Sequence, residues 1–150
     1  MAETITALSE QQMLALQNEK LVLLATLDSE SGFPSVSAIS WVYADRLTHI
    51  RFAIDQRSRI VTNINKHPQV TLTFFGEGKV NCVYGSAAVV AEALEGVPFK
   101  LACYDVAVEA VRDAMFYGSR ISAEPEYEKT YDKRAAEKLD GQVFAAMKKA

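Results

Sequence analysis

Hydrophobic and polar residues alternate along much of residues 21–91, with the period of two that is typical of β-strands. The apolar run LVLLATLD at 21–28 is too short for a surface helix and predicts a strand covered on both faces. From Ser35 to Tyr43 odd and even positions form two distinct faces, and the alternation resumes over 47–54 after the turn ADR. These last two segments predict a β-hairpin.

Two further strands are predicted around the turn Gly76-Glu77-Gly78. The strand VTLTFF precedes this turn and places Val70, Leu72 and Phe74 on one face, and the strand KVNCVYGSAAVV follows it. Gly85 lies in the middle of the second strand. A glycine there favours a bulge or bend, as in a barrel that must curve.

Helical signals flank these strands. Ser9 followed by Gln12 is a capping-box pattern, which predicts a helix from there to about Lys20. After residue 91 the spacing of apolar residues changes to three and four, which predicts a helix from Pro98 to Gly118. The apolar positions of this helix would be Leu101, Tyr104, Val108, Val111 and Met115. A second helical stretch is predicted from Pro125 to the end of the chain, continuous or interrupted at Gly141.

The segment DQRSRIVTNINKHP at 55–68 predicts a short crossover helix, and its N-terminus has two interpretations. An apolar stripe at 60–64 and caps from Asp55 or Ser58 make it an ordinary capped connector. The same N-terminus has free N–H groups and the positive end of the helix dipole, with Arg57 and Arg59 within reach, which favours binding of an anion. The segment alone does not separate these interpretations.

Composition narrows the class of protein. The chain has 150 residues, 49% of them hydrophobic and 23% charged, which predicts a single soluble domain with a real core. A net charge of −3 lacks the electrostatic footprint of a nucleic-acid-binding protein. Two cysteines outside any CxxC pattern and the absence of signal-peptide features lead us to expect a cytoplasmic protein. We expect no membrane span and, with two histidines, no metal site.

A mainly β fold follows: an antiparallel barrel with an N-terminal helix, a short crossover helix and C-terminal helices. We expect one domain over 1–150, with the barrel at about 21–91 and a helical C-terminal extension at about 97–150.

The order of these segments resembles the FMN-binding split barrels related to pyridoxamine phosphate oxidase. Four segments follow one another in the order of the family's elements, within a resemblance that covers roughly residues 10–91. They are GFPSVSAISWVY, THIRFAI, DQRSRIVTNINKHPQVTLTFF and KVNCVYGSAAVV. The matching positions are Asp55 in the polar turn, Ser58-Arg59, His67-Pro68, Val70 to Phe75, and Val83, Gly85 and Ala87 in a V-x-G-x-A pattern.

The resemblance implies a split barrel that binds FMN at the interface of a homodimer. One strand would lie along the isoalloxazine ring, a second segment would line the ribityl chain, and a Ser-Arg pair would hold the phosphate. A flavin-contacting Gln of the family falls at Val80 or, with a shift of one residue, at Asn81. The implied contacts are Ser37, Ala38, Ile39, Ser40 and Trp41 for the ring, Ala53, Ile54 and Asp55 for the ribityl chain, Ser58 and Arg59 for the phosphate, and Asn81.

The chain departs from the oxidase at several of its basic positions. Ser37, Val42 and Ile60 stand where basic residues are expected, and the oxidase's C-terminal Arg motif has no counterpart. These departures argue against pyridoxamine phosphate as the substrate and weaken the grip on a phosphate.

Two classes of function remain open at this stage. The first is an FMN-dependent oxidoreductase acting on an unknown small substrate, for which no residue is assigned as catalytic. The second is a non-catalytic, stress-related or flavin-binding barrel, with an F420- or haem-binding relative as a further alternative. Trp41 suits core packing and the wall of a planar ring equally well.

Overall fold

Seven antiparallel strands form one curved sheet in the computed structural model, which describes residues 5–150. The strands are β1 (Val22–Leu27), β2 (Pro34–Ile39), β3 (Val42–Tyr43), β4 (His49–Asp55), β5 (Gln69–Gly76), β6 (Lys79–Ala91) and β7 (Leu101–Asp113). The helices are α1 (Glu10–Ala15), α2 (Arg59–Lys66) and α3 (Lys133–Lys149). The strand order is β2-β1-β5-β6-β7-β4-β3, which confirms the predicted mainly β, antiparallel fold.

The core lies on one face of this sheet and is built from alternating positions of the strands, as a period of two requires. Helix α2 covers part of the same face with the stripe predicted from the sequence, through Ile60 and Ile64. The largest side chains buried there include Phe52, Phe74, Leu24, Ile50 and Leu72.

Strand β1 and the segment after it differ from the predictions in detail. Only alternate residues of β1 are fully buried, so the strand is not covered equally on both faces. The predicted strand at 35–43 divides at Ser40 and Trp41. Its first part pairs with β1, where Ala25 lies opposite Val36, and only its last two residues pair with β4.

The helix predicted from Pro98 to Gly118 is wrong, because residues 101–113 form strand β7 in the interior of the sheet. Alternate residues of β7 point into the core: Ala102, Tyr104, Val106 and Val108. A break in register with β6 then brings Val111 to the same face. Alternation combined with this bulge imitates helical spacing, and the barrel extends well beyond residue 91.

Gly85 marks the bulge that the sequence predicts. The register between β6 and β7 shifts between Tyr84 and Gly85. A Cβ at residue 85 would overlap the carbonyl oxygen of Ala107 and lie 2.7 Å from Cγ1 of Val106. The two strands therefore approach too closely at this point for any residue larger than glycine.

The two terminal helices are shorter than predicted. The capping box of α1 is present: the Gln12 amide donates to Ser9 Oγ at 3.1 Å and the Ser9 amide to Gln12 Oε1 at 2.8 Å. This helix ends at Ala15 rather than near Lys20. Helix α3 begins after Asp132, not after Pro125, and continues through Gly141. It packs on the β4–β7 part of the sheet, in a cluster of Ala53, Leu94, Leu101, Cys103, Val143, Ala146 and Met147.

Candidate functional site

A cleft of about 460 Å³ opens where the ends of β2 and β4 meet the N-terminus of α2. Most of the residues implied as flavin contacts line it, although they come from three separate segments. These are Ala38, Ile39, Ser40, Trp41, Ala53, Ile54, Asp55 and Ser58. The structure therefore brings together all of the predicted ring and ribityl residues except Ser37. Of the two predicted phosphate residues, only Ser58 lines the cleft.

Backbone pairing fixes the floor of the cleft. The chain leaves β2 at Ile39 and returns to the sheet at Val42, so Ser40 and Trp41 form a short link at the cleft's edge. The amide of Ala53 donates to the carbonyl of Trp41 at 3.0 Å, which ties this link to β4.

The N-terminus of α2 closes one end of the cleft. Ser58 is its N-cap, and its hydroxyl accepts from the amide of Ile60 at 3.1 Å. The Asp55 carboxylate lies just before it and accepts from the backbone and side chain of Arg57 at 2.8–3.3 Å. The side-chain hydrogen bond from Arg57 lowers the pKa of Asp55. The structure therefore confirms the capped connector. Anion binding stays a prediction, and Ser58 at the N-terminal end of the helix lines the cleft.

Arg59 does not line the cleft. Its guanidinium forms a two-point pair with the carboxylate of Asp28, with Nε–Oδ1 at 2.5 Å and Nη2–Oδ2 at 3.1 Å. Glu30 lies 3.6 Å from the same guanidinium. In this conformation the positive charge of Arg59, which the family pattern assigns to the phosphate, is paired instead with the Asp28 carboxylate in the turn after β1.

Ser37 and Asn81 also lie away from the cleft. Ser37 sits on β2 opposite Leu24 and is half-buried. Asn81 is buried inside the barrel at the end of β6, where its amide nitrogen donates to the carbonyls of Phe74 and Gly76 at 3.1 and 3.3 Å. Its oxygen accepts from Gln12 of α1 at 3.0 Å. These bonds give Asn81 a structural role between the helix and the strands.

Leu21, Tyr127 and Lys129 complete the cleft, and the sequence does not predict them as site residues. The sequence predicts a helix from Pro125 onward, but residues 125–131 lie before α3 and are not helical. No spacing in this segment distinguishes a residue that lines the cleft from a solvated one. Tyr127 and Lys129 could therefore be found only from the tertiary structure.

Lys129 is the cation of the cleft lining. Its Nζ lies 2.5 Å from Glu19 Oε1 and 3.1 Å from Asp140 Oδ2, and 5.8 Å from the centre of the Tyr127 ring. Burial alone would lower the pKa of Lys129, but the bonds to Glu19 and Asp140 outweigh this and raise it. Burial and the charge of Glu19 raise the pKa of Tyr127. At neutral pH the cleft thus contains a charged ammonium and a neutral phenol.

Among residues 5–150, no group of three or more His, Cys, Asp or Glu side chains is arranged to hold a metal ion. No helix in the same range is long and apolar enough to cross a membrane. Cys82 and Cys103 are free and buried, and Cys82 packs as a small hydrophobic residue.

Comparison with known proteins agrees with the fold. The sequence model of pyridoxamine 5'-phosphate oxidase matches residues 8–139. The chain belongs to this family. The resemblance in the sequence is therefore confirmed, and the match extends beyond residues 10–91, which contain the resembling segments.

Several solved structures share the fold of this family member. A candidate pyridoxamine 5'-phosphate oxidase from Lactobacillus delbrueckii has a TM-score of 0.62 at 20% identity, covering 74% of this chain and 99% of that one. HupZ from Group A Streptococcus has a TM-score of 0.59 at 15% identity, covering 77% and 100%. An F420 reductase has a TM-score of 0.58 at 17% identity, covering 70% and 98%. No curated protein matches the sequence.

Proposed function

We propose that the cleft binds FMN and that this family member is a cytoplasmic flavin-dependent oxidoreductase acting on a small substrate. One observation carries the proposal. The family pattern assigns residues 38–41 to the ring, residues 53–55 to the ribityl chain and Ser58 to the phosphate. All of these residues line the same cleft. Its volume falls within the roughly 300–1,000 Å³ usual for small-molecule sites.

The donor set of the cleft suits a phosphorylated aromatic ligand. Its walls are largely apolar, through Leu21, Ile39, Ala53 and Ile54, and Trp41 contributes a planar ring. Its polar end is the N-terminus of a helix, where backbone N–H groups and the dipole favour a phosphate. An apolar wall joined to a helix N-terminus is therefore the chemistry that FMN requires.

Each part of the chain has a separate task in this proposal. Backbone groups of residues 38–41 would orient the ring, and the Ser58 hydroxyl would donate to the phosphate. Arg59 would exchange the Asp28 carboxylate for the phosphate, because both are oxygen anions that suit its planar fork. Bound FMN would supply hydride and electron transfer, so the protein's contribution is to bind, orient and shield it.

No residue is assigned as a general acid or base. Of the titratable groups lining the cleft, Asp55 is bonded to Arg57, and Lys129 is held between two carboxylates. Tyr127 can donate a hydrogen bond from its hydroxyl. The cleft therefore contains no acid–base pair that would indicate the substrate, and experiment must identify it.

We also propose that two copies of the chain associate through the outer face of β1, β2, β5 and β6. An antiparallel sheet face exposed to water normally carries charged and polar side chains. Here the exposed and half-buried positions on that face are uncharged, and Cys82 is buried among them. These positions are Leu23, Ala25, Leu27, Pro34, Val36, Ala38, Thr71, Thr73, Phe75, Val80 and Tyr84. Ala38 belongs both to this face and to the cleft, so a second copy would adjoin the FMN site.

Titration of the purified protein with FMN tests the proposed ligand directly. Trp41 is the sole tryptophan and lines the cleft, so bound FMN should quench its fluorescence saturably and raise the melting temperature. Adenosine monophosphate, which has a phosphate but no flavin ring, serves as the control ligand. Absence of both saturable quenching and thermal stabilisation by FMN would overturn the proposal.

The same titration separates the alternative functions. Coenzyme F420 is included because an F420 reductase shares the fold, and haem is included as the second competing ligand. Tighter binding of either would replace FMN as the cofactor. A protein that binds FMN but is not reduced by NADH, NADPH or a panel of small donors would be assigned to the non-catalytic class.

A further inference from the structure

Trp41 is joined to the C-terminal helix by a direct side-chain hydrogen bond. Its indole Nε1–H donates to Oδ1 of Asp140 on α3 at 2.8 Å, across 99 positions of sequence. The backbone carbonyl of Trp41 is already held by the amide of Ala53. Both the main chain and the ring of this cleft residue are therefore anchored, the main chain by β4 and the ring by α3.

Asp140 is itself held in place by Lys129. Its second oxygen, Oδ2, lies 3.1 Å from Lys129 Nζ, and the same ammonium reaches Glu19 at 2.5 Å. Asp140 is 15% exposed and Lys129 25%, so this pair is shielded from most of the screening that weakens surface ion pairs. A chain of four side chains thus runs from Glu19 through Lys129 and Asp140 to the indole.

This series of four side chains has an effect beyond holding helix α3 on the sheet, which apolar packing already does. Val143, Ala146 and Met147 are buried against the sheet and hold α3 there without Asp140. The indole of Trp41 also packs against this cluster, and the hydrogen bond at Nε1 adds a directional contact that selects one rotation of the ring about its side-chain bonds. The hydrogen bond therefore sets the orientation of the indole ring at the edge of the cleft.

We propose that Asp140, supported by Lys129, is a positioning residue that holds the plane of Trp41 as a wall for the planar ring of a bound ligand. This inference rests on the proposed flavin function for the identity of that ring. It assigns a site-forming role to a segment in which the family pattern places no contact residue. A wall fixed before binding costs less ordering when the ligand arrives, which increases affinity.

The fluorescence of ligand-free protein tests the positioning directly, because Trp41 is the sole emitter of its kind. Asp140→Leu removes the acceptor, whereas Asp140→Asn keeps an oxygen for Nε1–H. We expect Asp140→Leu to shift the emission maximum and to increase quenching by acrylamide, and Asp140→Asn to restore the wild-type values. Glu137→Leu removes an exposed carboxylate from the same helix and should change neither.

Affinity for FMN gives the second readout. Asp140→Leu should weaken binding of FMN and of riboflavin by the same factor, about tenfold, because the ring rather than the phosphate loses its wall. Lys129→Gln should produce a smaller loss in the same direction. If Asp140→Leu does not fold, the shift in emission of Lys129→Gln decides the question.

The outcomes distinguish this inference from the proposed function. Wild-type protein that does not bind FMN, together with a shifted emission in Asp140→Leu, overturns the flavin function and keeps Asp140 as the residue that orients the indole. Equal binding of FMN by wild type, Asp140→Leu and Lys129→Gln overturns the positioning role and keeps the flavin function.

Discussion

Arg59 and Asp28 form a two-point ion pair that ties helix α2 to the turn after β1. Asp28 also accepts from the amides of Glu30 and Ser31 at 3.2 and 2.8 Å, so one carboxylate organises the turn and holds the helix. The residue expected to bind a phosphate therefore has a structural partner in the ligand-free protein. Two experiments separate these roles.

Acid should remove the stability that Asp28 contributes. The side-chain hydrogen bond from Arg59 and the bonds from Ser31 hold the pKa of Asp28 well below its ordinary value of 3.8. A group whose pKa is depressed by folding stabilises the protein above its unfolded pKa and loses this effect as the pH falls. Wild type should thus unfold at higher urea than Asp28→Asn at neutral pH, and this difference should shrink below about pH 4.

The neighbouring Glu30 provides a matched control for this experiment. Its side chain is 83% exposed and lies 3.6 Å from Arg59, so Glu30→Gln should have little effect at any pH. A difference between wild type and Asp28→Asn that stays constant from neutral to acidic pH would contradict the assignment.

The phosphate role of Arg59 is tested by comparing FMN with riboflavin. Arg59→Ala should weaken FMN binding by about tenfold and leave riboflavin unchanged, because only FMN has a phosphate. Asp28→Asn should strengthen FMN binding, since it removes the competing carboxylate. Lys66→Ala, which removes a charge from the other end of α2, serves as control. Equal affinities of Arg59→Ala and wild type for FMN would leave Arg59 with its structural role alone.

Two glycines should respond oppositely to substitution by alanine. At Gly85 a Cβ would collide with β7, so Gly85→Ala should lower the free energy of unfolding by about 1–3 kcal/mol. At Gly141, inside α3, a Cβ meets nothing within 4 Å, and alanine should stabilise the helix by about 0.5–1 kcal/mol. Urea unfolding of both variants measures this. Wild-type stability of Gly85→Ala would contradict the close approach of β6 and β7, and a loss of stability in Gly141→Ala would contradict the gain expected inside α3.

Asn81 should affect stability rather than affinity for the ligand. Its side chain is 3% exposed and satisfies the carbonyls of Phe74 and Gly76, so Asn81→Ala should cost about 1–3 kcal/mol of folding free energy. The exposed Asn65→Ala, on α2, should cost much less. FMN affinity of the folded Asn81→Ala protein should equal that of wild type. A selective loss of flavin affinity would instead support the contact implied by the family pattern.

A charge on the uncharged sheet face should separate the proposed dimer. Val36 is 63% exposed on that face, and Val36→Glu would place a carboxylate in the interface, where an unpaired buried charge is strongly unfavourable. Val89, which is 52% exposed at the other end of β6, gives the matched control Val89→Glu. Sedimentation should show wild type and the control as dimers and Val36→Glu as a monomer. A monomeric wild-type protein would refute the interface.

The sequence predicts the strands that alternate cleanly, the cap Ser9, and a cap of α2 at either Asp55 or Ser58, of which the structure has Ser58. Ser9 and Ser58 act through neighbours a few residues away, so local sequence contains the whole signal. Strand β7 is different, because a bulge displaces Val111 by one position and turns an alternating pattern into one with helical spacing. Periodicity cannot distinguish these two origins of the same spacing.

The candidate site divides in the same way. Residues 38–41 and 53–58 lie on predicted elements, and the family pattern locates them in sequence. Lys129 and Tyr127 enter the cleft from a segment without regular structure, and partners such as Glu19 and Asp140 come from distant parts of the chain. The competing carboxylate of Asp28 is likewise 31 positions from Arg59. Long-range pairs of this kind have no signature in a single sequence.

The position of β7 between β6 and β4 has a consequence for how the chain folds during synthesis. Until Asp113 has left the ribosome, β4 and β6 each present an unpaired edge, and the sheet exists only as two separate pieces. Because β4 pairs with residues roughly 50 positions later, the contact order is high and closure should be slow. A nascent chain that pauses before β7 is the species most exposed to aggregation, and chaperones would act at that stage.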